Sequence, residues 1–200
     1  YQDQGMFIAH NAPIDALKFS ENLLATADRS GVIILWKLNS AKQIKKMSAN
    51  GEAVKQILIN KKHLIALTKD EILVFGLISG NLVFSVKQSF DQIEFFDKEQ
   101  QYLIGLSQNE LLIVDYESDQ VIKRNKPEMK INNFQVSSNY RDILFASNFF
   151  SVLYDMKKGK ILKKFTSECV FCIFSLDFRY VYNVSEVALS VHDSDSCGLL

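Results

Sequence analysis

The sequence predicts an all-β fold made of four-stranded antiparallel sheets that repeat along the chain. Two observations carry this. Apolar residues come in runs of about four to eight, broken by polar turns, with no sustained helical period. One such run, Val32-Ile33-Ile34-Leu35-Trp36, then returns as Glu71 to Phe75, Glu110 to Val114, Phe150 to Tyr154 and Ala188 to His192. The runs end at 36, 75, 114, 154 and 192, spacings of 39, 39, 40 and 38 residues. A fixed period of this length marks a repeat architecture.

The elements of the unit follow in order. A first strand is read at Ile14 to Phe19, Val54 to Ile59, Ile93 to Phe96, Asn133 to Val136 and Val170 to Phe174. The second is an apolar stretch closing on a hydroxyl residue, namely Thr26, Thr68, Ser107, Ser147 or Ser185. In the last four units that hydroxyl stands seven positions before the end of the third-strand run. A polar turn such as Met156-Lys157-Lys158-Gly159 leads to the fourth strand, at Gln43 to Met47, Leu82 to Val86, Gln120 to Ile122 and Lys160 to Phe165. The units are 10–47, 48–87, 88–125, 126–165 and an incomplete 166–200, with 1–9 as the outer strand of a preceding unit.

Four strands per unit of about 40 residues is the pattern of a β-propeller blade. Such a sheet cannot bury both faces alone, so blades stack around an axis and the inner strands read as continuous apolar runs. Lys42, Lys45, Lys46, Lys160, Lys163 and Lys164 fall on or beside the outer strands. Charge there discourages edge-to-edge aggregation.

Residues 10 to 47 resemble one repeat of the WD40 family: His10, then Ile14 to Ser20, Leu24-Ala25-Thr26, and Gly31 to Trp36. The resemblance implies a hydrogen-bonded chain of His, Ser/Thr, Asp and Trp within the blade, carried here by His10, Thr26, Ser30 and Trp36. Ser30 stands at the Asp position and Lys37 follows Trp36, so this chain is expected to be weakened. The other units match in spacing, with Tyr154-Asp155 and His192-Asp193 where Trp-Asp would stand. The family implies a non-enzymatic scaffold for other proteins and a larger, usually seven-bladed ring. Closure on the chain's own N-terminal strand, giving five blades, is the other arrangement. Kelch-type blades use Gly-Gly pairs, which this sequence lacks, and quinoprotein blades dock through many tryptophans, against one here.

Composition narrows the chemistry. Lys+Arg and Asp+Glu are both 23, which removes the basic excess that marks nucleic-acid or membrane-surface binding. A basic first half and an acidic third unit, Asp91 to Asp119, leave a subunit of an RNA–protein particle as the alternative function. No apolar run approaches a membrane span. With no initiator Met at its start, the chain is expected to be a piece of a longer protein. Cys169 and Cys172, three apart in a strand, are expected on opposite faces, as small buried residues of a reduced compartment. The location expected is intracellular, cytoplasmic or nuclear. Asn183-Val184-Ser185 matches a glycosylation sequon but lies in an apolar strand. His192 to Ser196 is read as a solvated turn, not a metal site. No cofactor, catalytic group or small-molecule substrate is expected. Protein partners are expected at the ends of the sheets, where Arg29, Lys69, Asp70, Phe90, Asn109 and Phe149 sit at turns. Phe90 and Phe149 are the aromatic anchors expected there.

Overall fold

A computed structural model describes residues 9–165, 169–175 and 177–194. Among them are 19 strands in five antiparallel sheets, and the only helical element is a 3-10 turn at Leu38–Ser40. Sheet 1 joins β1 (Ile14–Ser20), β2 (Leu23–Asp28), β3 (Val32–Lys37) and β4 (Lys42–Ser48). Sheet 2 joins β5 (Gln56–Ile59), β6 (His63–Leu67), β7 (Ile72–Gly76) and β8 (Leu82–Val86). Sheet 3 joins β9 (Gln92–Phe95), β10 (Tyr102–Ser107), β11 (Glu110–Asp115) and β12 (Gln120–Asn125). Sheet 4 joins β13 (Asn133–Val136), β14 (Asp142–Ser147), β15 (Phe150–Asp155) and β16 (Lys160–Phe165). Sheet 5 joins β17 (Phe171–Phe174), β18 (Tyr180–Val184) and β19 (Leu189–Asp193). The strands anticipated at Gly5 to Ala9 and from Leu199 lie outside the described residues, apart from Ala9.

The chain divides into two compact units, Tyr1–Ile93 and Glu94–Leu200. Each is built by stacking sheets face to face. In the first, Ala16, Ala25, Ala27, Ile33, Leu35 and Met47 of sheet 1 meet Ile57, Ile59, Leu64, Ala66, Leu73 and Phe75 of sheet 2 in one buried cluster. In the second, Ile104, Leu106, Leu111 and Ile113 of sheet 3 meet Phe134, Val136, Ile143, Phe145, Val152 and Tyr154 of sheet 4. Leu144, Ala146 and Phe165, on the opposite face of sheet 4, meet Cys172, Phe174 and Val181 of sheet 5. Where two sheets of one unit stack, the earlier turns its leading face to the later and the later its trailing face to the earlier, the two faces being opposite sides of a sheet. Side chains alternate between them because successive residues of a strand point to opposite sides.

The turns repeat as closely as the strands do. Between third and fourth strands one residue adopts positive φ, and it is Ala41, Gly80, Asp119 or Gly159. Each such turn follows a register shift in the ladder just before the run ends, at Leu35/Trp36, Val74/Phe75, Ile113/Val114 and Leu153/Tyr154. Asp115 and Asp155 cap this turn through Oδ1, accepting from the N–H groups of Glu117 and Ser118, and of Lys157 and Lys158.

Sheets are also latched through their first strands. Within the first unit the Gln56 amide accepts from Ile93 N–H (2.9 Å) and donates to its carbonyl (2.8 Å). In the second, Glu94 accepts from Val136 N–H at 2.7 Å and Gln135 from Phe174 N–H at 2.7 Å. A half-buried first-strand amide or carboxylate therefore satisfies a backbone donor of the neighbouring strand, which would be costly to bury unpaired.

Candidate functional site

The most polar feature of the core lies on the trailing face of sheet 1. His10 Nε2 is 2.7 Å from Thr26 Oγ1, His10 Nδ1 is 2.7 Å from Asp28 Oδ2, and Trp36 Nε1 donates to Thr26 Oγ1 at 2.8 Å. A carboxylate only accepts, so Nδ1 carries a proton, and with a neutral ring Nε2 accepts from the Thr26 hydroxyl. The chain Trp36 → Thr26 → His10 → Asp28 then leaves none of these donors unused.

The expected role of Ser30 is corrected here. The carboxylate of the chain is Asp28, two residues after Thr26 at the end of β2, and Ser30 supports it. Asp28 Oδ1 accepts from Ser30 Oγ (2.7 Å), Ser30 N–H (2.9 Å) and Val32 N–H (3.1 Å). Burial pushes the Asp28 carboxyl upward, but the hydrogen bonds from Ser30, His10 and Val32 outweigh it and hold the group below the usual carboxylate range. The Asp28-Arg29-Ser30-Gly31 turn was the available signal. Its carboxylate was overlooked because the Asp was sought immediately before Gly31.

A hydroxyl, an imidazole and a carboxylate in this order also describe a base-activated nucleophile. Here the hydroxyl oxygen already accepts the Trp36 indole N–H, and Thr26, Asp28 and Trp36 are 6, 0 and 4% exposed. The side of Thr26 on which an electrophile would sit is filled by the indole, so the arrangement ties β2, β3 and the Ala9–His10 segment together.

The other sheets do not repeat this network. By ladder register the Thr26 position is Ala66, Gly105, Phe145 and Asn183. The hydroxyls that looked equivalent serve the turns between second and third strands. Thr68 Oγ1 bonds Glu71 on both its N–H and its carbonyl, and Ser185 Oγ accepts from Ala188 N–H at 3.0 Å. In sheet 5 the polar positions persist in another form, with Asn183 accepting from Ser151 Oγ at 2.7 Å and His192 Nε2 3.3 Å from Ser190 Oγ.

The six residues expected at a protein-binding end divide. Arg29, Lys69 and Asp70, in the first unit, are exposed, with Arg29 forked onto Asp15 at 3.0 Å through both Nε and Nη2. Phe90 is 1% exposed, and its expected role as an anchor is corrected: the loop folds the ring inward, where burying its apolar area is favourable. Asn109 is also structural. Its amide donates to Met129 O (2.9 Å) and accepts from Ile131 N–H (2.7 Å), pinning the segment that leads into sheet 4. Phe149, in the β14–β15 turn, is 72% exposed.

Asn148, the chain neighbour of Phe149, lines a cavity of about 550 Å³ in the second unit, together with Asn132, Val170, Ser185, Glu186 and Val187. Asn132 donates to Asn148 Oδ1 at 2.7 Å across its wall. The rim is apolar, with Val187 89% and Val170 51% exposed. Two turns between second and third strands and two segments entering first strands therefore converge here. The sequence reading reached Phe149 and missed Val170, Glu186 and Val187, which carry no motif and meet Asn148 only through the stacking of sheets 4 and 5.

The remaining titratable groups have local tasks. Asp97 accepts from Gln101 and Tyr102 N–H, and Glu110 lies 3.9 Å from Arg124 and 3.6 Å from Lys126. Much of the acidic third unit is spent on turns and on its own strand neighbours. Cys169 precedes β17, so it does not alternate with Cys172 as expected. Both thiols are buried in the cluster between sheets 4 and 5 and hydrogen-bond one another, which lowers Cys169, while burial drives Cys172 well up. Among the described residues no group of three or more His, Cys, Asp or Glu could hold a metal ion. Asn183 of the sequon is 1% exposed. No helix of the described residues is long and apolar enough to cross a membrane. No family model matches the chain, and no curated protein matches it in sequence.

Proposed function

We propose that this chain is a diverged WD40-like β-propeller region that serves as a non-enzymatic platform for other proteins. The observation that carries the reading is the recess in the second unit, where Val187 in the lining is 89% exposed and Phe149, next in the chain to the lining residue Asn148, is 72% exposed. Aromatic and branched apolar side chains at the mouth of a recess are what an interface core uses, with the Asn132–Asn148 pair and Glu186 as a polar surround. The repeat of about 39 residues and the chain from Trp36 to Asp28 support the family resemblance. An intracellular location, cytoplasmic or nuclear, accords with the free thiols of Cys169 and Cys172. The test is affinity capture by the wild-type chain and by a Phe149→Ala/Val187→Ser variant, followed by mass spectrometry. Proteins captured by the wild type should be lost together from the variant while its thermal midpoint stays unchanged. Full retention of those proteins would sink the proposal.

A further inference from the structure

Between sheets 3 and 4 of the second unit lies a separate recess of about 290 Å³. It shares no lining residue with the cavity at Asn148, and both of its walls belong to complete four-stranded sheets. Its floor is the core of that unit. Met156 is 2% exposed, and Phe96 and Tyr140 are half-buried against the same cluster. Around them stand three cations: Lys123 of β12, Arg141 at the entry to β14, and Lys157 in the turn after β15. No acidic residue is among those that line the recess.

Part of this arrangement serves the fold. Lys123 Nζ donates to the Met156 carbonyl at 2.6 Å, and Lys163 Nζ donates in the same way to the Ser194 carbonyl at 2.5 Å between sheets 4 and 5. The latch does not use up the charge. A carbonyl is neutral, so the Lys123 ammonium keeps its positive charge and its other N–H donors. Arg141 gives a single N–H to Asp155, at 2.9 Å, which offsets its charge and leaves the rest of the guanidinium fork open. Among the described residues Lys157 forms no ion pair, and its side chain is exposed. Two uncompensated positive charges therefore stand over a floor that includes two aromatic rings.

We propose that this recess binds an aryl phosphate, with the phosphate on Lys123, Lys157 and Arg141 and the ring against Phe96 and Tyr140. A phosphate monoester carries close to two negative charges at neutral pH, which matches the charge left over. The open side of the Arg141 fork suits phosphate oxygens, and the two side-chain rings favour an aromatic body over an aliphatic one. Ligand pockets start at about 300 Å³, so the organic part is limited to about one ring. The group arrives either as a free ester or as a phosphotyrosine side chain.

Saturation-transfer NMR on the 200-residue chain, with phenyl phosphate as the probe, tests this. Phenyl phosphate should bind with a dissociation constant on the order of 1 mM or below, and phenol at least about tenfold more weakly. Lys157→Gln and Lys123→Gln should each weaken phenyl phosphate at least about threefold. Lys130→Gln, which removes an exposed charge of the same unit outside the recess, should leave binding unchanged. Circular dichroism checks that each variant is folded. Blocked phosphotyrosine, N-acetylated and amidated, identifies the source: tighter binding than phenyl phosphate assigns the site to a peptide, and equal or weaker binding to a free ester. Phenol binding as tightly as phenyl phosphate overturns the proposal. So does equal weakening by Lys130→Gln and Lys157→Gln, which reduces the effect to diffuse surface charge, and so does the lack of a saturable signal up to about 10 mM.

Discussion

Thr26 is the residue on which the polar core of sheet 1 turns, since its hydroxyl joins the indole of Trp36 to the imidazole of His10. Thr26→Val keeps the shape and leaves two buried nitrogens without their partner, a cost of about 3 kcal/mol in urea unfolding. Asp28→Ala should cost about as much, because it strips His10 and the Ser30 and Val32 amides at once, whereas Ser30→Ala should cost only about 1 kcal/mol. Equal losses for Ser30→Ala and Asp28→Ala would contradict the assignment of the carboxylate to Asp28. Backbone conformation sets a second contrast at this scale. Gly31 has φ +83°, and a Cβ there would lie 2.7 Å from the Glu52 carbonyl oxygen, so Gly31→Ala should cost more than about 2 kcal/mol. Ala41 holds φ 49° where Gly159 holds 66°, so Ala41→Gly should be neutral or stabilising by about 0.5 kcal/mol. His10, Thr26 and Trp36 were legible because the family pattern names their residue types. Asp28 was not, because a pattern fixed by sequence spacing shifts by two positions without disturbing the hydrogen bonds.

At the scale of the element, the turn between third and fourth strands shows how one device is filled by different residues. Asp155 is 1% exposed, and its pKa is lowered to about 2, first by the Lys158 N–H and then, against burial, by Arg141 at 2.9 Å and the Lys157 N–H. A folded-state pKa below the unfolded value of about 3.9 means that the stabilisation is complete above that value. It is lost as pH falls through about 2. Thermal midpoints between pH 5 and pH 2 should therefore fall more steeply for the wild type than for Asp155→Asn. Parallel curves would show that Asp155 binds its proton equally in both states. The strands themselves were readable almost to the residue, because a run such as Ile104 to Leu106 or Leu64 to Leu67 is apolar on both faces. The hydroxyls were readable in position but not in role. Spacing alone does not separate Thr26, inside a strand and bonded to Trp36, from Thr68, which closes a hairpin on Glu71.

For the whole molecule, the repeat determines which faces meet, and those meetings were the least legible part. Val170 and Val187, at one end of sheet 5, meet Asn132 and Asn148, at the end of sheet 4, only because the two sheets stack. Phe90 reads as a turn aromatic like Phe149, yet its loop carries it into the core. We propose that the sheets fan around an axis with first strands innermost, as a propeller requires. Pulsed dipolar spectroscopy tests it most directly, with spin labels at exposed residues and Cys169, Cys172 and Cys197 replaced by alanine. One label pair sits on the fourth strands of sheets 2 and 4, at Val83 and Ile161, and the other beside their first strands, at Lys55 and Lys130. With neighbouring strands about 4.8 Å apart, a fan makes the fourth-strand distance longer than the first-strand distance by more than about 10 Å. Equal distances would describe a straight stack of sheets and contradict the propeller.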